Sequence, residues 1–246
     1  MKNLKLIAIL IFLVVGCSHF ERNKEVQIKP VSEVEWQKLN PARGDKSPQA
    51  GTLWGDRNGS EATGFLAKFV DGFSSPPHIH NVSYRAIVIE GFIHNDDPET
   101  ANMWMPATSY WTQPAGEAHI TSAKGTTNIA LVEIDKAPYL VKPASLSFNN
   151  GERPYNIHAS NIIWRDNGKY ESVDIWKDRD EVVIGKLLKF KDNLSYKAEE
   201  SKFVIIGGKV AIQGVSLEPG SLVSVKNESI VRFSCEANEC VVYLKK

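Results

Sequence analysis

The sequence predicts an all-β fold that is built as two similar β domains in tandem. Short apolar or alternating runs recur along the chain, and Gly, Pro, Asn and Asp separate them at the spacing typical of a β-sandwich or barrel. Several of these runs occur twice in the same order, which indicates an internal duplication. Few segments have helical periodicity; residues 31–39, "VSEVEWQKL", could form one helical turn or two.

The N-terminus has the features of an export signal. A basic head, "MKNLK", precedes ten unbroken apolar residues, a run too short to span a bilayer as a helix. The following Val14-Val15-Gly16-Cys17 resembles a bacterial lipobox, in which the cysteine is lipidated and becomes the first residue of the mature chain. We therefore expect residues 1–16 to be a lipoprotein signal peptide. An ordinary signal peptide with a chance cysteine is the alternative.

Residues 17–30 are polar and lack a core pattern, which is typical of a flexible tether. Lipoproteins of Gram-negative type that stay at the inner membrane carry an aspartate directly after the lipidated cysteine. Ser18 stands at that position, so the resemblance favours the outer membrane, with the protein facing the periplasm. The membrane is then a partner through the lipid anchor on Cys17.

Two of the three cysteines remain if Cys17 is lipidated, namely Cys235 and Cys240. An even pair in an exported protein is a candidate disulfide. The intervening residues could form a hairpin loop with the two thiols facing each other across it. Two buried free thiols at a strand end are the alternative.

The charge balance excludes one class of partner. The formal net charge is +0, and loss of Lys2 and Lys5 with the signal peptide leaves the mature chain at −2. Because no basic patch or run stands out, nucleic acid is not expected to bind. A second copy of the chain, as a homodimer, stays open.

Four pairs of segments carry the internal repeat. They are "TLWGDRNG" (52–59) with "IIWRDNGK" (162–169), "GFLAKF" (64–69) with "GKLLKF" (185–190), "IVIEG" (87–91) with "VIIGG" (204–208), and "MPATSYWTQ" (105–113) with "LEPGSLVSV" (217–225). The seam lies near residues 141–154. The sequence therefore divides into a first domain, residues 31–145, and a second, residues 146–246.

Three of the six histidines form a candidate metal site in the first domain. Side chains two apart on a strand face the same way, so His78 and His80 share a face with Tyr84. His119 follows the Pro114–Gly116 turn and would come from another strand. A divalent metal suits such imidazoles. The alternative is three histidines that are satisfied by hydrogen bonds in a polar barrel mouth.

The histidine spacing resembles the two motifs of the cupin superfamily. The first motif corresponds to Gly72, five residues, His78-Ile79-His80, three residues, Tyr84, six residues and Gly91, with tyrosine in place of the usual glutamate. The second corresponds to Pro114-Ala115-Gly116, two residues and His119. Thr108 replaces its leading glycine and Ala123 its trailing asparagine. The resemblance covers about residues 50–135, and the wording around the motifs looks like that of cupins grouped with the acetylacetone-cleaving-enzyme-like and ChrR-like proteins.

This resemblance implies a bicupin, in which two jelly-roll β-barrels follow in tandem. The first would bind one divalent metal ion through His78, His80 and His119, with iron or zinc expected first and manganese, nickel or copper open. The second would be degenerate. Its equivalent segment is shortened to "NLSYKAEES", and the repeat places Val231 opposite His119.

Further residues around the motifs are candidates for the site. Tyr84 and Gln113 are the catalytic candidates. Tyr84 could be a weak ligand, a proton donor or an orienting hydroxyl, or it could only be part of the barrel wall. Gln113 could contact a ligand or a metal-bound water. Trp104 and Trp111 could form an apolar wall for a small molecule or could simply pack in the core. His94 follows the Gly91 turn. A position in a loop is favoured for it, and a contact with the substrate is the alternative.

Two other polar residues have less defined roles. Strand parity places Glu117 on the face of His119, where it could support a metal ligand, although an exposed turn charge is favoured. His158 lies outside any site in the repeat alignment.

Three functions fit this sequence. The first is a metal-dependent enzyme, dioxygenase-like or lyase- or isomerase-like, that acts on a small oxygenated organic molecule. The second is a non-catalytic lipoprotein that binds or senses a metal or small ligand. The third is an interaction protein in which the metal only stabilises the barrel.

Overall fold

A computed structural model describes residues 25–246, and the protein in this range is all-β. The predicted signal peptide, Cys17 and Ser18 lie outside the described residues. Within the described range, the helical segments are all short 3-10 turns: Val31–Glu33, Pro41–Lys46, Ala144–Leu146 and Ala159–Asn161. None of the helices in residues 25–246 has the length and hydropathy needed to cross a membrane.

The strands fall into two consecutive sets of ten. The first set is β1 (Val26–Lys29), β2 (Trp36–Lys38), β3 (Gln49–Trp54), β4 (Thr63–Phe69), β5 (His78–His80), β6 (Tyr84–Asp96), β7 (Tyr110–Gln113), β8 (Ile120–Ile134), β9 (Val141–Pro143) and β10 (Tyr155–Ile157). The second set is β11 (Arg165–Asp166), β12 (Glu171–Lys177), β13 (Val183–Phe190), β14 (Asn193–Ala198), β15 (Ser201–Gly207), β16 (Val210–Ile212), β17 (Val215–Leu217), β18 (Leu222–Val225), β19 (Ser229–Cys235) and β20 (Cys240–Lys245).

Two seven-stranded sheets dominate the molecule, and their strand orders are equivalent. One sheet has the order β10-β7-β6-β8-β4-β3-β2 and the other β1-β18-β15-β20-β13-β12-β11. Smaller sheets, β5-β9 and β14-β19-β16-β17, close the two barrels. The structure therefore confirms the all-β prediction and the duplicated jelly-roll architecture, which is the bicupin arrangement.

The edge strands cross between the two halves of the chain. β1 comes from the N-terminus, yet it pairs with β18 of the second sheet. β10 follows the seam, yet it pairs with β7 of the first sheet. Residues 26–29, which the sequence placed in the tether, are thus a sheet strand. This pairing joins residues nearly 200 positions apart in sequence, and no local pattern encodes it.

Strand order confirms three of the four repeat pairs and corrects the fourth. The equivalent of β3 is β12, so residues 52–59 match "DIWKDRDE" at 174–181 rather than residues 162–169. Both candidate segments combine a tryptophan with a charged turn, and this shared composition explains the wrong register. In the structure Trp54 at the end of β3 corresponds to Trp176 near the end of β12. The predicted helical turns at 31–39 are one 3-10 turn followed by β2.

Three apolar clusters fill the space between the sheets. One cluster lies inside each barrel, around Ala86, Ile93 and Trp111 in the first and around Phe203, Val231 and Phe233 in the second. The third cluster contains residues of both large sheets, including Leu131 and Tyr243, and joins the barrels face to face. Because burial of apolar area is the main stabilising contribution, this shared layer makes the second barrel a support for the first.

A buried group of charges also bridges the two sheets. The carboxylate of Glu133 on β8 is 1% exposed and accepts hydrogen bonds at 3.3 Å from both Arg85 on β6 and Lys245 on β20. Arg85 also pairs with Asp135. Since a buried charge is stable only when it is paired, these contacts fix the register of one barrel against the other.

Cys235 and Cys240 are joined by a disulfide, with their Cα atoms 5.8 Å apart. The four residues between them connect β19 to β20 at one end of the second barrel. The bridge therefore closes this hairpin.

Candidate metal centre

His78 and His80 lie on β5, which crosses the mouth of the first barrel. The chain turns at Gly72, whose φ of 67° favours glycine, and then runs through Pro76 and Pro77 into the strand. His78 forms an antiparallel bridge with His119, and the two residues exchange backbone hydrogen bonds of 3.0 Å in both directions. This backbone pairing places two imidazoles opposite each other.

The three imidazoles form one compact cluster. Their ring centroids are 4.3 Å apart for His78 and His119, 5.0 Å for His78 and His80, and 5.2 Å for His80 and His119. One nitrogen from each residue lies within 4.8 Å of the others, and all three residues are buried. The cluster predicted from sequence is therefore assembled in the fold and could hold a metal ion.

Backbone carbonyl groups fix the same tautomer in all three rings. Nδ1 of His78 lies 2.9 Å from the Pro76 carbonyl oxygen, Nδ1 of His80 lies 3.2 Å from that of Leu140, and Nδ1 of His119 lies 3.1 Å from that of Glu117. A carbonyl oxygen can only accept, so each Nδ1 carries the proton. The lone pair of each ring is then on Nε2, which is the arrangement that metal-binding histidines show.

Burial keeps these imidazoles neutral. Desolvation lowers the pKa of His78, lowers that of His80 well below its ordinary value, and lowers that of His119 to about 3. The neighbouring imidazoles add to the shift for His80 and His119. Near neutral pH no proton therefore occupies Nε2 of these imidazoles, and a metal ion can bind there without displacing one.

Tyr84 occupies the position of the usual cupin glutamate, and its hydroxyl lies beside the cluster. It is 3.5 Å from Nε2 of His119 and donates to Oδ1 of Asn95 at 2.9 Å. Trp111 Nε1 donates to the Tyr84 oxygen at 3.5 Å, and Thr121 donates to Asn95 Oδ1 at 2.8 Å. Burial raises the pKa of Tyr84, so the phenol stays protonated and adds no charge to the site.

Gln113 lies behind Tyr84 and does not face the cavity. Its Oε1 accepts from Asn95 Nδ2 at 2.9 Å, and its Nε2 donates to the Glu117 carbonyl at 3.3 Å. Both ends of the amide are thus used inside the protein. The structure gives Gln113 a positioning role for the Asn95–Tyr84 pair, whereas the sequence suggested direct contact with a ligand.

Tyr139 is a second phenol at the site, and no local sequence pattern predicted it. Its ring stacks on His80 with centroids 4.2 Å apart, and its hydroxyl lies 3.0 Å from Nε2 of His80. Because Nδ1 of His80 carries the proton, the Tyr139 hydroxyl is the donor in this contact. A metal ion that binds Nε2 of His80 must therefore replace this hydrogen bond.

A cavity of about 410 Å³ leads to the cluster. His78, His80, Tyr84 and Tyr139 line it, together with apolar side chains from the barrel wall. This volume is within the range of small-molecule sites. Trp111 lines the cavity and also packs in the apolar core of the first barrel, and the lining outside the histidine cluster is largely apolar.

Trp104 and His94 lie outside this cavity. His94 is not in a loop but on β6, where it is 1% exposed. The β-bulge around Gly91 shifts the alternation of the strand, so Asn95 turns towards Tyr84 and His94 turns the other way, near the Met103 carbonyl and the Trp104 ring. Trp104 in turn packs against Lys124, 4.3 Å from its ring centroid.

Glu117 and His158 are the two polar residues whose roles were less defined in the sequence. Glu117 supports His119 with its backbone carbonyl rather than with its carboxylate. His158 caps the 3-10 turn Ala159–Asn161, since its Nδ1 accepts from the Ser160 amide at 3.1 Å, and it does not belong to the histidine cluster.

The second barrel has no counterpart of the cluster within the described residues. Strand register aligns the bridge between His78 and His119 with the pair Tyr196 and Val231. It likewise aligns the pair Tyr84 and Gln113 with Ser201 and Val225. His80 corresponds to Ala198 in this register. Apolar packing therefore takes the place of the imidazoles.

A family model described as a domain of unknown function, DUF4437, matches residues 27–246. The chain belongs to the DUF4437 family. The match spans both barrels. No curated protein matches the sequence.

Solved structures with the same fold come from several bacteria. A proposed dioxygenase from Nostoc punctiforme PCC 73102 is 14% identical, with a TM-score of 0.70 and coverage of 89% of this chain and 81% of the other. An oxalate decarboxylase from Lactobacillus farciminis, in complex with formate, is 10% identical, with a TM-score of 0.56 and coverage of 89% and 84%. The pirin YhhW from Escherichia coli, in complex with nickel(II), is 12% identical, with a TM-score of 0.53 and coverage of 89% and 98%. At these identities the likeness establishes the cupin fold of the DUF4437 protein.

The buried histidines predict how stability depends on pH in the metal-free protein. The unfolded chain takes up a proton at each histidine near pH 6.5, whereas the buried imidazole of His119 does so only near pH 3. Stability should therefore fall as the pH drops from about 6.5 towards 3, by about 1.4 kcal/mol per pH unit for His119 alone. Urea unfolding between pH 7 and pH 4 measures this slope.

His119→Gln should reduce the slope of this pH dependence, and His158→Gln, which removes a histidine outside the cluster, is the variant for comparison. An unchanged slope in His119→Gln would show that burial of this imidazole does not govern the acid sensitivity.

Tyr139→Phe should raise the affinity of the site for a divalent metal. The variant removes the O–H that occupies Nε2 of His80 and keeps the stacked ring. Since a typical hydrogen bond contributes about 1 kcal/mol net, the gain should be about fivefold. Competition against a fluorescent zinc chelator measures the affinity.

Tyr155→Phe serves as the matched control, because its hydroxyl bonds the Ile175 carbonyl away from the cluster. A lower affinity in Tyr139→Phe, with no change in the control, would instead make the phenol a metal ligand.

Proposed function

We propose that this protein is a metal-dependent dioxygenase that acts on a small oxygenated organic molecule. One divalent ion binds Nε2 of His78, His80 and His119. The observation that carries the proposal is the common tautomer of the three rings, which backbone carbonyl groups impose at the inner end of an apolar cavity. A structural role for the histidines would not require all three lone pairs to be directed into one cluster.

Iron(II) and zinc are the metals that we expect first, and manganese, nickel and copper suit imidazole ligands as well. When bound, a redox-active ion such as iron(II) supplies the means to bring dioxygen and substrate into reaction. Three protein ligands leave further positions for small molecules. The nickel complex of the structurally similar pirin is consistent with a cupin barrel that accepts late first-row metals.

The polar groups of the cavity favour oxygen-dependent chemistry over lyase or isomerase chemistry. Isomerases and many lyases need a general base that removes a proton from carbon. Within residues 25–246, no carboxylate lines the cavity, and burial keeps the phenols of Tyr84 and Tyr139 protonated. In a dioxygenase reaction both atoms of O₂ enter the organic substrate, so the protein has no need of a strong base. The fold shared with a proposed dioxygenase is consistent with this choice.

The residues around the cluster have distinct tasks in this proposal. Tyr84, held by Asn95, directs a hydroxyl towards a ligand beside His119. Trp111 and the apolar wall exclude water from the bound substrate. Tyr139 offers a second hydroxyl once the metal has taken Nε2 of His80.

The same lack of a carboxylate in the cavity favours a second candidate function. A protein that binds or senses a metal-bound small molecule needs the three histidines and the cavity, but no acid or base. The two functions separate in one experiment. The metal content of protein purified without added metal is measured, and oxygen uptake is then followed with β-diketones, hydroxy acids and sugar acids. Bound zinc with no oxygen uptake for any of these compounds would favour the binding protein.

Replacement of the histidines by alanine tests the metal site itself. His78→Ala, His80→Ala and His119→Ala should each lose most of the bound metal, because two imidazoles compete poorly with water for the ion. His94→Ala and His158→Ala should retain full stoichiometry, since neither residue contributes to the cluster. Elemental analysis of the five purified variants gives the result.

Circular dichroism should show that all five variants stay folded, because the barrel cores are apolar. Full metal occupancy in His78→Ala or His119→Ala would exclude this ligand set.

We also propose that the protein is a lipoprotein of the cell envelope, in the outer membrane and facing the periplasm. The apolar run before Cys17, the lipobox and Ser18 support this location. Cys17→Ala should abolish incorporation of radioactive fatty acid and release the protein in soluble form. Continued labelling of the variant would refute the proposed anchor. The Cys17→Ala substitution should leave the metal content of the protein unchanged.

A further inference from the structure

The cavity that leads to the histidine cluster has an apolar body and two polar ends. Phe65, Ala67 and Phe69 of β4 line the body, together with Ala130 and Val132 of β8, the strand that pairs with β4 in the same sheet. The histidines and tyrosines form the inner end. Leu39, Asn40, Arg43 and Pro48, from the mostly exposed segment that precedes β3, line the solvent-facing end. A ligand that fills the cavity must therefore have an apolar middle section.

Arg43 stands at the outer end, and it is the only formally charged side chain among residues 25–246 that lines the cavity. Its guanidinium carbon lies 5.0 Å from the ring centroid of Phe73, and its Nη2 donates to the Ser74 carbonyl at 3.4 Å. Phe73 itself is buried in the segment that leads to His78. The guanidinium is thus held over the cavity mouth by Phe73 and Ser74, which belong to the segment that leads to His78 and His80.

The arginine retains binding capacity for an anion. A guanidinium has five N–H donors in a planar fork, and the contact to Ser74 uses one side of it. The acid nearest in sequence within the same turn, Asp45, is paired with Lys38 at 3.0 Å. A planar fork of this kind matches the two oxygens of a carboxylate.

We propose that the substrate is an elongated carboxylic acid, with an apolar middle section, an oxygen donor for the metal at one end and the carboxylate at the other, and that Arg43 binds this carboxylate. The assignment rests on the proposed metal site. It specifies which small oxygenated molecules the cavity selects. Both ends of the cavity favour negative oxygen atoms. At the inner end the three imidazoles bring no negative charge to a divalent ion, and at the outer end Arg43 carries a positive charge.

Paired chelators of matched length test this assignment. One series consists of hydroxamic acids with a terminal carboxylate, such as the monohydroxamate of octanedioic acid. The second series has the same chain lengths with a terminal methyl group. The hydroxamate is the metal anchor, and only the distal end differs between the members of a pair. Calorimetry on the zinc-loaded protein gives the ratio of dissociation constants for each pair.

The wild type should prefer the carboxylate member at one chain length, by about fivefold for a solvent-accessible charge pair, and raised salt should reduce the preference. Arg43→Gln should abolish the preference and leave the affinity for the methyl series unchanged. Arg179→Gln, an exposed arginine of the second barrel, is the matched control and should keep the preference.

A preference that persists in Arg43→Gln, or its absence from the wild type at every length, would overturn the role of Arg43 while the metal site stands. Failure of both series to bind in a zinc-dependent manner is a different result, because it would refute the metal site on which the assignment rests.

Discussion

The candidate site depends on one constraint, which is that three backbone carbonyl groups direct three imidazole rings. Pro76, Glu117 and Leu140 supply these carbonyls, and they belong to three separate stretches of the chain. Each carbonyl holds one Nδ1 proton and thereby leaves one Nε2 lone pair for the cluster. A backbone acceptor is insensitive to the side chain at its own position, so this arrangement can persist while the surrounding sequence changes. The three histidines could therefore hold a metal without any of the acidic residues that orient ligands in other metal sites.

The parts of the fold and site that the sequence predicted are those that local patterns encode. Strand parity placed His78 and His80 on one face, and the turn at Pro114–Gly116 placed His119 beside them. The repeat predicted both barrels, because equivalent strands carry similar apolar runs. The parts that sequence reasoning missed arise from long-range contacts. Tyr139 reaches His80 across 59 positions, and β1 pairs with β18 although nearly the whole chain separates them. His94 was misplaced for a local reason, since Gly91 was interpreted as a turn that ends the strand, whereas it lies at a β-bulge within β6.

The two barrels show how one architecture serves two physical purposes. In the second barrel Val231 and Ala198 lie where the first has His119 and His80, and the interior there is a continuous apolar core. Desolvation of the three imidazoles in the first barrel lowers stability at pH values below about 6.5, as their lowered pKa values indicate. The shared apolar layer and the buried Glu133 cluster between the large sheets offset part of this cost, because they attach the functional barrel to a fully packed one. A single polar barrel of this size would lack that support.

The replacement of the cupin glutamate by Tyr84 determines the charge of the site and, through it, the ligands that the site favours. A glutamate would contribute one negative charge to the metal ion, whereas the buried phenol contributes none. A divalent ion held by neutral nitrogens in an apolar cavity interacts strongly with anionic oxygen, since little water screens the attraction. The distal guanidinium of Arg43 adds a second positive end to the same cavity. Charge compensation would therefore be left to the ligand, which is why we propose an anionic molecule with an apolar section as the partner of this barrel.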